Sequence, residues 1–333
     1  MKILGVGAGV PQKVITNFDL EKIVDTSDEW IVSRSGIRER RIASENETTS
    51  MLAIEAARVA LKKAQVKSSD LDLIIVATVT PDMLFPATAC ILQRELGAEK
   101  AACFDLEAGC TSFVYALSIA EKYLSAGGGN FALVVGAETL SKILDWEDRA
   151  TCVLFGDGAG AAVLGLGEKP GIISTHLGAD GGGANYIEVP AGISRMPASL
   201  ETIQKRLHFI KMAGNEVFKF AVRIMEEASL KVIEKGKMKI EDVNLFIPHQ
   251  ANIRIINSAA KRLGIVEDRI FVNVQKYGNT SSASIPLALS EAVIEGRIQK
   301  DDIILLVAFG SGLVANFVIL FVFFFKQKTA YEI

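Results

Sequence analysis

The chain has 333 residues, half of them hydrophobic, and a formal net charge of −3. This length suggests about two domains with ample hydrophobic core. The slightly acidic balance and the lack of a long basic tract argue against a nucleic-acid-binding protein.

The four cysteines lie in apolar segments without a CxxC pair, at positions 90, 103, 110 and 152. That pattern favours reduced thiols in a cytoplasmic protein over a disulfide framework or a zinc site. We expect no signal peptide, because one charge and then glycines open the chain. We also expect no membrane span, because the apolar stretch 313–325 is shorter than the roughly 20 residues that a span needs.

The first predicted element is a strand at residues 3–9 that contains Gly5-x-Gly7-x-Gly9. These glycines invite a dinucleotide-binding interpretation, but Pro11 follows and no helix opens there to bind a phosphate. A helix start is predicted at residues 26–29, with a capping residue and early acids. Residues 48–65 predict an amphipathic helix with apolar positions Met51, Ile54, Ala57, Leu61 and Ala64.

Strands are then predicted at 71–78, 101–105, 131–136 and 161–166, with helices at 87–96 and 113–126. The continuous apolar run of 71–78 is typical of a parallel sheet. Cys110 falls between a strand and the start of a helix, where unpaired N–H groups and the helix dipole favour a thiolate. The alternative is a small buried cysteine packed under that helix.

The second half of the chain repeats the first at an offset of 172 residues. Residues 70–77 align with 242–249, and residues 130–135 align with 302–307. Two blocks with one offset predict a duplication into two similar α/β units. Cys110 then maps to Ser282, so that two equivalent helix starts can converge in one cleft.

His249 and Asn279 lie at two further junctions of this second half. His249 ends a predicted strand, where side chains face ligands in α/β sheets, although it could be a structural histidine. Asn279 lies in a turn and could be only a helix cap. With Cys110 they suit acyl transfer, in which two neutral donors stabilise an enolate or oxyanion. The same three types also suit a hydrolase, in which the histidine deprotonates the cysteine and the asparagine orients the histidine.

Seven stretches, in order over about residues 1–312, resemble the β-ketoacyl-[acyl-carrier-protein] synthase III family, the initiating condensing enzymes of bacterial fatty-acid synthesis. They are residues 26–31 (TSDEWI), 34–40 (RSGIRER), 109–110 (GC), 155–160 (FGDGAG), 212–218 (MAGNEVF), 248–252 (PHQAN) and 278–281 (GNTS). The resemblance implies a thiolase-like α/β fold with two duplicated βαβ-rich halves in a layered αβαβα arrangement. The halves are expected at 1–168 and 169–320.

The resemblance also implies an acyltransferase without metal or organic cofactor. Cys110 would carry an acyl group from acetyl-CoA or another short acyl-CoA. His249 and Asn279 would stabilise the enolate formed by decarboxylation of malonyl-carrier protein. The backbone N–H groups of Cys110 and Ser311 would hold the oxyanion.

The same resemblance assigns the binding residues and partners. Phe85 is expected to reach across a homodimer into the partner's acyl pocket, and Trp30 to stack on adenine, with Arg34 and Arg149 on the phosphate side. The full set for CoA is Thr26, Trp30, Arg34, Arg149, Gly214, Asn215, Phe218 and Asn252. The set for the acidic carrier protein is Lys219, Arg254, Lys261 and Arg262. We expect a cytoplasmic enzyme that binds neither nucleic acid nor membrane.

Two departures from the family pattern are visible. Ser112 stands where the family usually has glycine, and its side chain is expected to tighten the site next to the nucleophile. The apolar run after Gly312 is expected to form a last strand at roughly 313–320, and residues 321–333 are predicted to be a non-native tail. Primer length and branching stay open. So do a related condensing enzyme of secondary metabolism, a thioester hydrolase and an inactive binding homologue.

Overall fold

The computed structural model describes residues 1–167, 171–311 and 315–322. Its strands are β1 Lys2–Gly9, β2 Val14–Thr16, β3 Glu39–Arg41, β4 Leu73–Ala77, β5 Ala102–Leu106, β6 Phe131–Glu138, β7 Gly158–Gly165, β8 Ile172–His176, β9 Ile187–Glu188, β10 Lys211–Met212, β11 Leu245–Pro248, β12 Ile303–Phe309 and β13 Ala315–Val322. Its helices are α1 Asn17–Leu20, α2 Asp28–Ser35, α3 Thr49–Ala64, α4 Thr88–Leu96, α5 Ser112–Ser125, α6 Arg149–Cys152, α7 Leu200–Gln204, α8 Gly214–Lys235, α9 Ile253–Leu263, α10 Val274–Tyr277 and α11 Ser284–Ile294.

Two mixed sheets share one strand pattern. The first has the order β1-β7-β6-β4-β5, and the second has the order β8-β13-β12-β11. In the first sheet β4 is parallel to β6, while β7 is antiparallel to both β6 and β1. In the second sheet β11 is parallel to β12, while β13 is antiparallel to both β12 and β8. The second sheet therefore repeats the first, as the predicted duplication requires.

The offset of 172 residues holds for several element starts. It relates β4 to β11, β6 to β12 and α5 to α11, which begin at Leu73 and Leu245, Phe131 and Ile303, and Ser112 and Ser284. It also relates the two short 3₁₀ turns Gly109–Thr111 and Ser281–Ala283. Even the left-handed first residue is shared, with φ of 58° at Gly109 and 48° at Ser281. Cys110 and Ser282 are thus structural counterparts.

Five layers form the molecule. α3 and α4 cover the outer face of the first sheet, and their apolar side chains form one core with β4, β6 and β7. α5 and α11 lie between the two sheets and share the central core with both. α8 and α9 cover the outer face of the second sheet. This confirms the predicted layered αβαβα arrangement.

The glycines of β1 serve packing against α3. A Cβ on Gly7 would lie 2.5 Å from the backbone N of Ala60, and a Cβ on Gly9 would lie 2.5 Å from the backbone O of Leu52. The next element after β1 is the short strand β2, so the predicted lack of a helix opening directly after these glycines is confirmed.

The predicted face of α3 was partly wrong. Met51 is 52% exposed, whereas Leu52 and Ala56 are buried. The alanine face lies on β1, because only small side chains allow helix and glycine-containing strand to approach this closely. Hydrophobicity and spacing alone favoured the larger Met51.

The last strand is Ala315–Val322 rather than roughly 313–320. Phe321 and Val322, which the sequence assigns to the tail, pair with Ile304 and Ile303 of β12. Residues 323–333 of the predicted tail, and residues 168–170 around the predicted boundary between halves, lie outside the described residues. No helix within the described part of the chain is long and apolar enough to cross a bilayer.

Candidate active site

A cavity of about 720 Å³ lies where the two halves meet. Its wall combines the turn before α5 with the ends of β11 and β12 and the starts of α8 and α9. Of the predicted site residues, the following line it: Trp30, Arg34, Cys110, Gly214, Asn215, Phe218, His249, Asn252, Arg254, Asn279 and Ser311. The cavity thus joins six of the eight predicted CoA residues to the predicted catalytic residues.

Side-chain hydrogen bonds shape the turn that carries Cys110. Glu107 Oε1 accepts from Gly109 N at 3.0 Å, and Thr111 Oγ1 donates to Ala108 O at 2.5 Å. Ser112 Oγ accepts from Ala108 N at 2.7 Å and donates to Gly109 O at 2.6 Å. Gly109 takes a positive φ of 58°, a conformation that glycine adopts without the steric cost of a Cβ.

Ser112 therefore belongs to the scaffold of the turn. Its side chain is completely buried, and its hydroxyl is used within the turn itself. The sequence suggested that this side chain tightens the site beside the nucleophile. The structure instead places it behind Cys110, where it closes the turn.

The loop after β12 lies directly against this turn. A Cβ on Gly310 would lie 2.7 Å from Cys110 N, and a Cβ on Gly109 would lie 2.8 Å from Ser311 N. Only two glycines facing each other allow the two backbones to come so close. The backbone N atoms of Cys110 and Ser311, both predicted to hold an oxyanion, are therefore neighbours at the end of the cavity.

The resting thiol of Cys110 is protonated. Burial is the main cause that raises its pKa, to about 12, and the carboxylates of Glu138 and Glu107 add to the effect. A hydrogen bond with Ser281 lowers the pKa without offsetting burial. The predicted location at a helix start is confirmed, but the predicted preference for a thiolate is not, because desolvation disfavours the charged form.

His249 follows β11 and is 1% exposed. Its Nδ1 lies 2.6 Å from Ser284 Oγ, and its ring meets the Phe309 ring edge-on at a centroid distance of 5.2 Å. Its buried Nε2 has no hydrogen-bond partner among the described residues. Burial lowers the pKa of His249 to about 3, so the imidazole is neutral at physiological pH.

Asn279 occupies the turn between α10 and α11. Its backbone is fixed by two hydrogen bonds to the segment before β7, from Asn279 N to Leu154 O at 2.8 Å and from Gly156 N to Asn279 O at 3.0 Å. Its Oδ1 accepts from Ser281 N at 2.9 Å, whereas the cap position of the turn Ser281–Ala283 is occupied by Thr280 and not by Asn279. With Oδ1 used in this way, the amide Nδ2 hydrogens remain to serve the cavity.

Trp30 lies between two arginines at the other end of the cavity. Ser27 caps α2 and accepts from Trp30 N at 3.1 Å, which confirms the predicted helix start. The guanidinium carbons of Arg34 and Arg149 lie 4.9 and 5.0 Å from the Trp30 ring centroid. This places Arg149 at Trp30, while Thr26, on the loop before α2, is half-buried with an unpartnered Oγ1 among the described residues.

The start of α8 and that of α9 form the neighbouring wall. Asn252 Oδ1 caps α9 by accepting from Arg254 N at 2.8 Å, while its Nδ2 donates to Arg34 O at 2.9 Å. The Arg254 guanidinium lies 5.3 Å from the Phe218 ring centroid. Two halves of the chain are thus tied together at the wall that carries the predicted CoA residues.

The remaining predicted binding residues lie outside this cavity. Phe85 is 81% exposed in the loop before α4. Lys219 forms an ion pair with Glu216 at 3.0 Å, and Arg262 forms one with Glu226 at 2.8 Å. The predicted basic face of α9 therefore includes acidic neighbours, and Lys261 is exposed on it.

Sequence reasoning missed three residues around the catalytic group: Ser284 and Phe309, which contact His249, and Glu138, whose charge raises the pKa of Cys110. The duplication carried a signal for one of them, because Ser284 is the counterpart of Ser112. Glu138 and Phe309 end apolar strands and show no sequence signal of their own. Among the described residues, no three His, Cys, Asp or Glu side chains are grouped as metal ligands.

Comparison with known proteins identifies a family. The protein-family model described as 3-oxoacyl-[acyl-carrier-protein (ACP)] synthase III matches residues 104–181. The model of the C-terminal part of the same synthase matches residues 233–321.

Individual relatives agree with these matches. The β-ketoacyl-[acyl-carrier-protein] synthase III of Caldanaerobacter subterraneus subsp. tengcongensis is 58% identical over 312 residues, 93% of this chain and 94% of that protein. The crystal structure of the Thermus thermophilus synthase III has a TM-score of 0.90 and 51% identity, over 96% of this chain and 99% of that one. The Aquifex aeolicus synthase III has a TM-score of 0.89 and 49% identity over the same shares. The predicted family and thiolase-like fold are confirmed.

Proposed function

Because the chain belongs to the β-ketoacyl-[acyl-carrier-protein] synthase III family, we propose that it starts fatty-acid synthesis by a decarboxylating Claisen condensation. A short acyl-CoA, with acetyl-CoA favoured, reacts with malonyl-carrier protein to give 3-oxoacyl-carrier protein, CO2 and CoA. The observation that carries the assignment of residues is the single cavity that joins Trp30 to Cys110, His249 and Asn279.

In the first half-reaction Cys110 becomes acylated. Its sulfur attacks the thioester carbonyl, the carbon–sulfur bond to CoA breaks, and CoA leaves with the thiol proton. The negative charge on the carbonyl oxygen is stabilised by the neighbouring N–H groups of Cys110 and Ser311. A pair of preorganised donors in a dry site is usually the largest single contribution to such a step.

In the second half-reaction the malonyl thioester loses CO2, and its carbonyl oxygen becomes an enolate. Gln250 N approaches Ser284 Oγ at 3.4 Å, which leaves the Ser284 hydroxyl hydrogen to donate to His249 Nδ1. The His249 proton then resides on Nε2, which faces the cavity. His249 Nε2–H and the Asn279 amide are two neutral donors for the enolate.

The enolate carbon next attacks the carbonyl of acyl-Cys110. A carbon–carbon bond forms, the sulfur–carbon bond breaks, and the oxyanion again uses Cys110 N and Ser311 N. The released Cys110 sulfur takes up a proton from the solvent, which replaces the one that left with CoA. Because the thioester supplies the electrophile and decarboxylation supplies the carbanion, we propose that no metal or organic cofactor takes part.

We propose that Trp30 stacks on the adenine of CoA and that Arg34 and Arg149 bind its phosphates. Thr26, Gly214, Asn215, Phe218 and Asn252 would complete the CoA site. In support, Arg34 and Arg149 already lie on the Trp30 ring. The acidic carrier protein would dock on Lys219, Arg254, Lys261 and Arg262 near the mouth.

We also propose a homodimer in the cytoplasm. β5 is the last strand of the first sheet, so its outer edge is unpaired in the described chain. Thr88 N at the start of α4 donates to Asp105 of β5 at 2.6 Å. Leu84 and Phe85, in the loop before α4, are 68% and 81% exposed, and Phe104 of β5 is 39% exposed. A second β5 edge would cover these groups and bring each Phe85 to the partner's acyl pocket.

The hydrogen bonds support condensation over thioester hydrolysis. A Cys–His–Asn hydrolase needs the asparagine to orient the histidine that deprotonates the cysteine. Here Ser284 holds His249 Nδ1, while Asn279 Oδ1 accepts from Ser281 N. We therefore propose that His249 Nε2–H and the Asn279 amide act as separate donors to one substrate oxygen.

A panel of acyl-CoA primers with malonyl-carrier protein tests this function, with products read by mass spectrometry. We expect 3-oxoacyl-carrier protein from wild type, and none from Cys110→Ala. In His249→Ala and Asn279→Ala we expect acylation of Cys110 to persist while condensation falls by about 10²–10³-fold, the usual cost of one such donor. Release of free acid without 3-oxoacyl product would contradict the proposal.

A further inference from the structure

Glu138 is a buried carboxylate at the end of β6 that the proposed reaction steps leave unused. Its Oε2 accepts from the loop after β4, with Thr80 Oγ1 at 2.6 Å and the backbone N atoms of Val79 and Thr80 at 3.1 Å. Thr78 Oγ1 adds a longer bond of 3.2 Å. Because Val79 lines the catalytic cavity, these bonds fix one of its walls.

The other oxygen of Glu138 reaches the second half of the molecule. Oε1 lies 2.7 Å from Ser282 Oγ, which in turn lies 2.8 Å from Ala77 O. Ser282 belongs to the same short turn as Ser281, which bonds to Cys110, and follows Asn279 by three residues. Glu138 therefore connects the loop that contains Val79 to the segment 279–283, which carries the cavity residues Asn279 and Ser281.

Glu138 Oε1, Ser282 Oγ and Ala77 O form a chain of hydrogen bonds whose hydrogens can be counted. The Ser282 hydroxyl has one hydrogen, yet it faces two oxygens that both accept when Glu138 is ionised. A proton on Glu138 Oε1 removes the conflict, because Oε1–H then donates to Ser282 Oγ and the Ser282 hydroxyl donates to Ala77 O. Each of the three polar groups in this chain of hydrogen bonds then has a partner, as buried polar groups require.

We propose that Glu138 is a positioning residue that works in its protonated form. It links the loop that contains Val79 to the segment 279–283, which carries Asn279 and Ser281. Its effect on turnover rests on the proposed function, whereas its effect on the Cys110 thiol does not. Ionisation breaks the proton chain and places a negative charge behind the nucleophile.

The electrostatics agree with this role. Burial raises the pKa of Glu138 to about 7, although hydrogen bonds from Thr80 and Ser282 lower it. The ionised carboxylate in turn raises the pKa of Cys110. The turn Ser281–Ala283 contains no ionisable side chain, and neither does β4. Cys110 is the ionisable group whose pKa responds to the Glu138 charge, and the loop after β4 and the segment after β6 carry Asp82 and Lys142.

The pH dependence of Cys110 alkylation by iodoacetamide tests the proposed role of Glu138 without any substrate. The rate for the Cys110 peptide would be measured by mass spectrometry between pH 6 and pH 9 in wild type, Glu138→Gln and a control, Glu121→Gln on α5. A simple thiol below its pKa gains about tenfold in thiolate for each pH unit. We expect the alkylation rate of Glu138→Gln, whose side chain stays neutral, to rise by that tenfold for each pH unit. Wild type and Glu121→Gln should rise less steeply between pH 6 and pH 8, where Glu138 ionises.

Condensation provides the second measurement. The ratio of the rates at pH 8.5 and pH 6 should be several-fold higher in Glu138→Gln than in wild type or Glu121→Gln. Ser282→Ala, which breaks the chain at its centre, should lower the rate at both pH values while its KM for acetyl-CoA stays close to that of wild type.

Parallel alkylation profiles for wild type and Glu138→Gln would overturn the proposal. An unchanged rate in a folded Ser282→Ala, checked by thermal unfolding, would overturn it as well. If wild type forms no condensation product, the proposed function fails, and the alkylation profiles still decide the role of Glu138.

Discussion

Replacing Ser112 by alanine would remove both hydrogen bonds that its hydroxyl forms in the turn before α5, to Gly109 O at 2.6 Å and from Ala108 N at 2.7 Å. A typical hydrogen bond contributes roughly 0.5–1.5 kcal/mol to stability. We therefore expect a loss of about 1–3 kcal/mol in the free energy of unfolding. Ser112→Gly, the family's usual residue, would cost roughly a further 0.5–1 kcal/mol because glycine weakens a helix.

Activity should respond as well, because this turn places Cys110 N against Gly310. Small displacements of reacting groups can reduce rates by up to about 10²-fold, and we expect Ser112→Ala to acylate Cys110 about tenfold more slowly. Urea unfolding gives the stability, and the burst of CoA release from acetyl-CoA gives the acylation rate. Ser118→Ala is the matched control, because Ser118 is a buried serine of the same helix whose hydroxyl bonds to Thr175 at 3.3 Å. The reasoning is refuted if the two variants unfold and acylate alike.

Three further substitutions test separate parts of the site. The lowered pKa of His249, about 3 against an ordinary 6.5, contributes stability that is present above pH 6.5 and lost as the pH falls toward 3. Its share of the loss between pH 7 and pH 4.5 is about 3 kcal/mol. In urea unfolding, the free energy of unfolding of His249→Gln should therefore fall less steeply toward acid pH than that of wild type. An equally steep fall would contradict the buried neutral ring. Trp30→Ala should raise the KM for acetyl-CoA by about tenfold at little cost in kcat, since aromatic stacking on a base contributes roughly 1–3 kcal/mol; steady-state kinetics with an unchanged KM would count against the adenine site. Gly310→Ala places a Cβ 2.7 Å from Cys110 N, so acetyl transfer should be lost while calorimetry still detects CoA binding, and normal acetylation would disprove the close approach of the two loops.

The repeat of the chain was readable from the sequence because the elements that carry it kept their spacing. Two short blocks at an offset of 172 residues located β4 and β11, and β6 and β12, and the same offset relates the turns at Cys110 and Ser282. Since equivalent turns of a duplicated fold meet near its symmetry axis, the convergence of both turns in one cavity followed from the spacing. His249 was found in the same way, as the residue that ends a repeated strand.

Other features depend on contacts between distant segments. Met51 is larger and more apolar than Ala56, yet Ala56 is buried, because glycines of β1 set how closely α3 approaches. Glu138 follows an apolar strand like many solvated acids. Its burial depends on Thr80 and on Ser282, 144 residues away along the chain. Spacing within one segment carries no information on such pairs.

The ionisation of Cys110 shows the same limit. The helix start was predicted and is present, and it favours a thiolate by charge–dipole attraction. Whether that attraction dominates depends on how far the thiol is desolvated, which the folded cavity decides. Here burial prevails, and the pKa of Cys110 rises to about 12.

The central claim is that Cys110 carries the acyl group between CoA and the carrier protein, and intact-mass spectrometry tests it most directly. Incubation with acetyl-CoA should add one acetyl group to wild type, located on the peptide that contains Cys110, and add none to Cys110→Ala. Malonyl-carrier protein should then remove that group as 3-oxobutyryl-carrier protein. An acetyl group that persists in Cys110→Ala, or that leaves wild type only as acetate, would contradict the account.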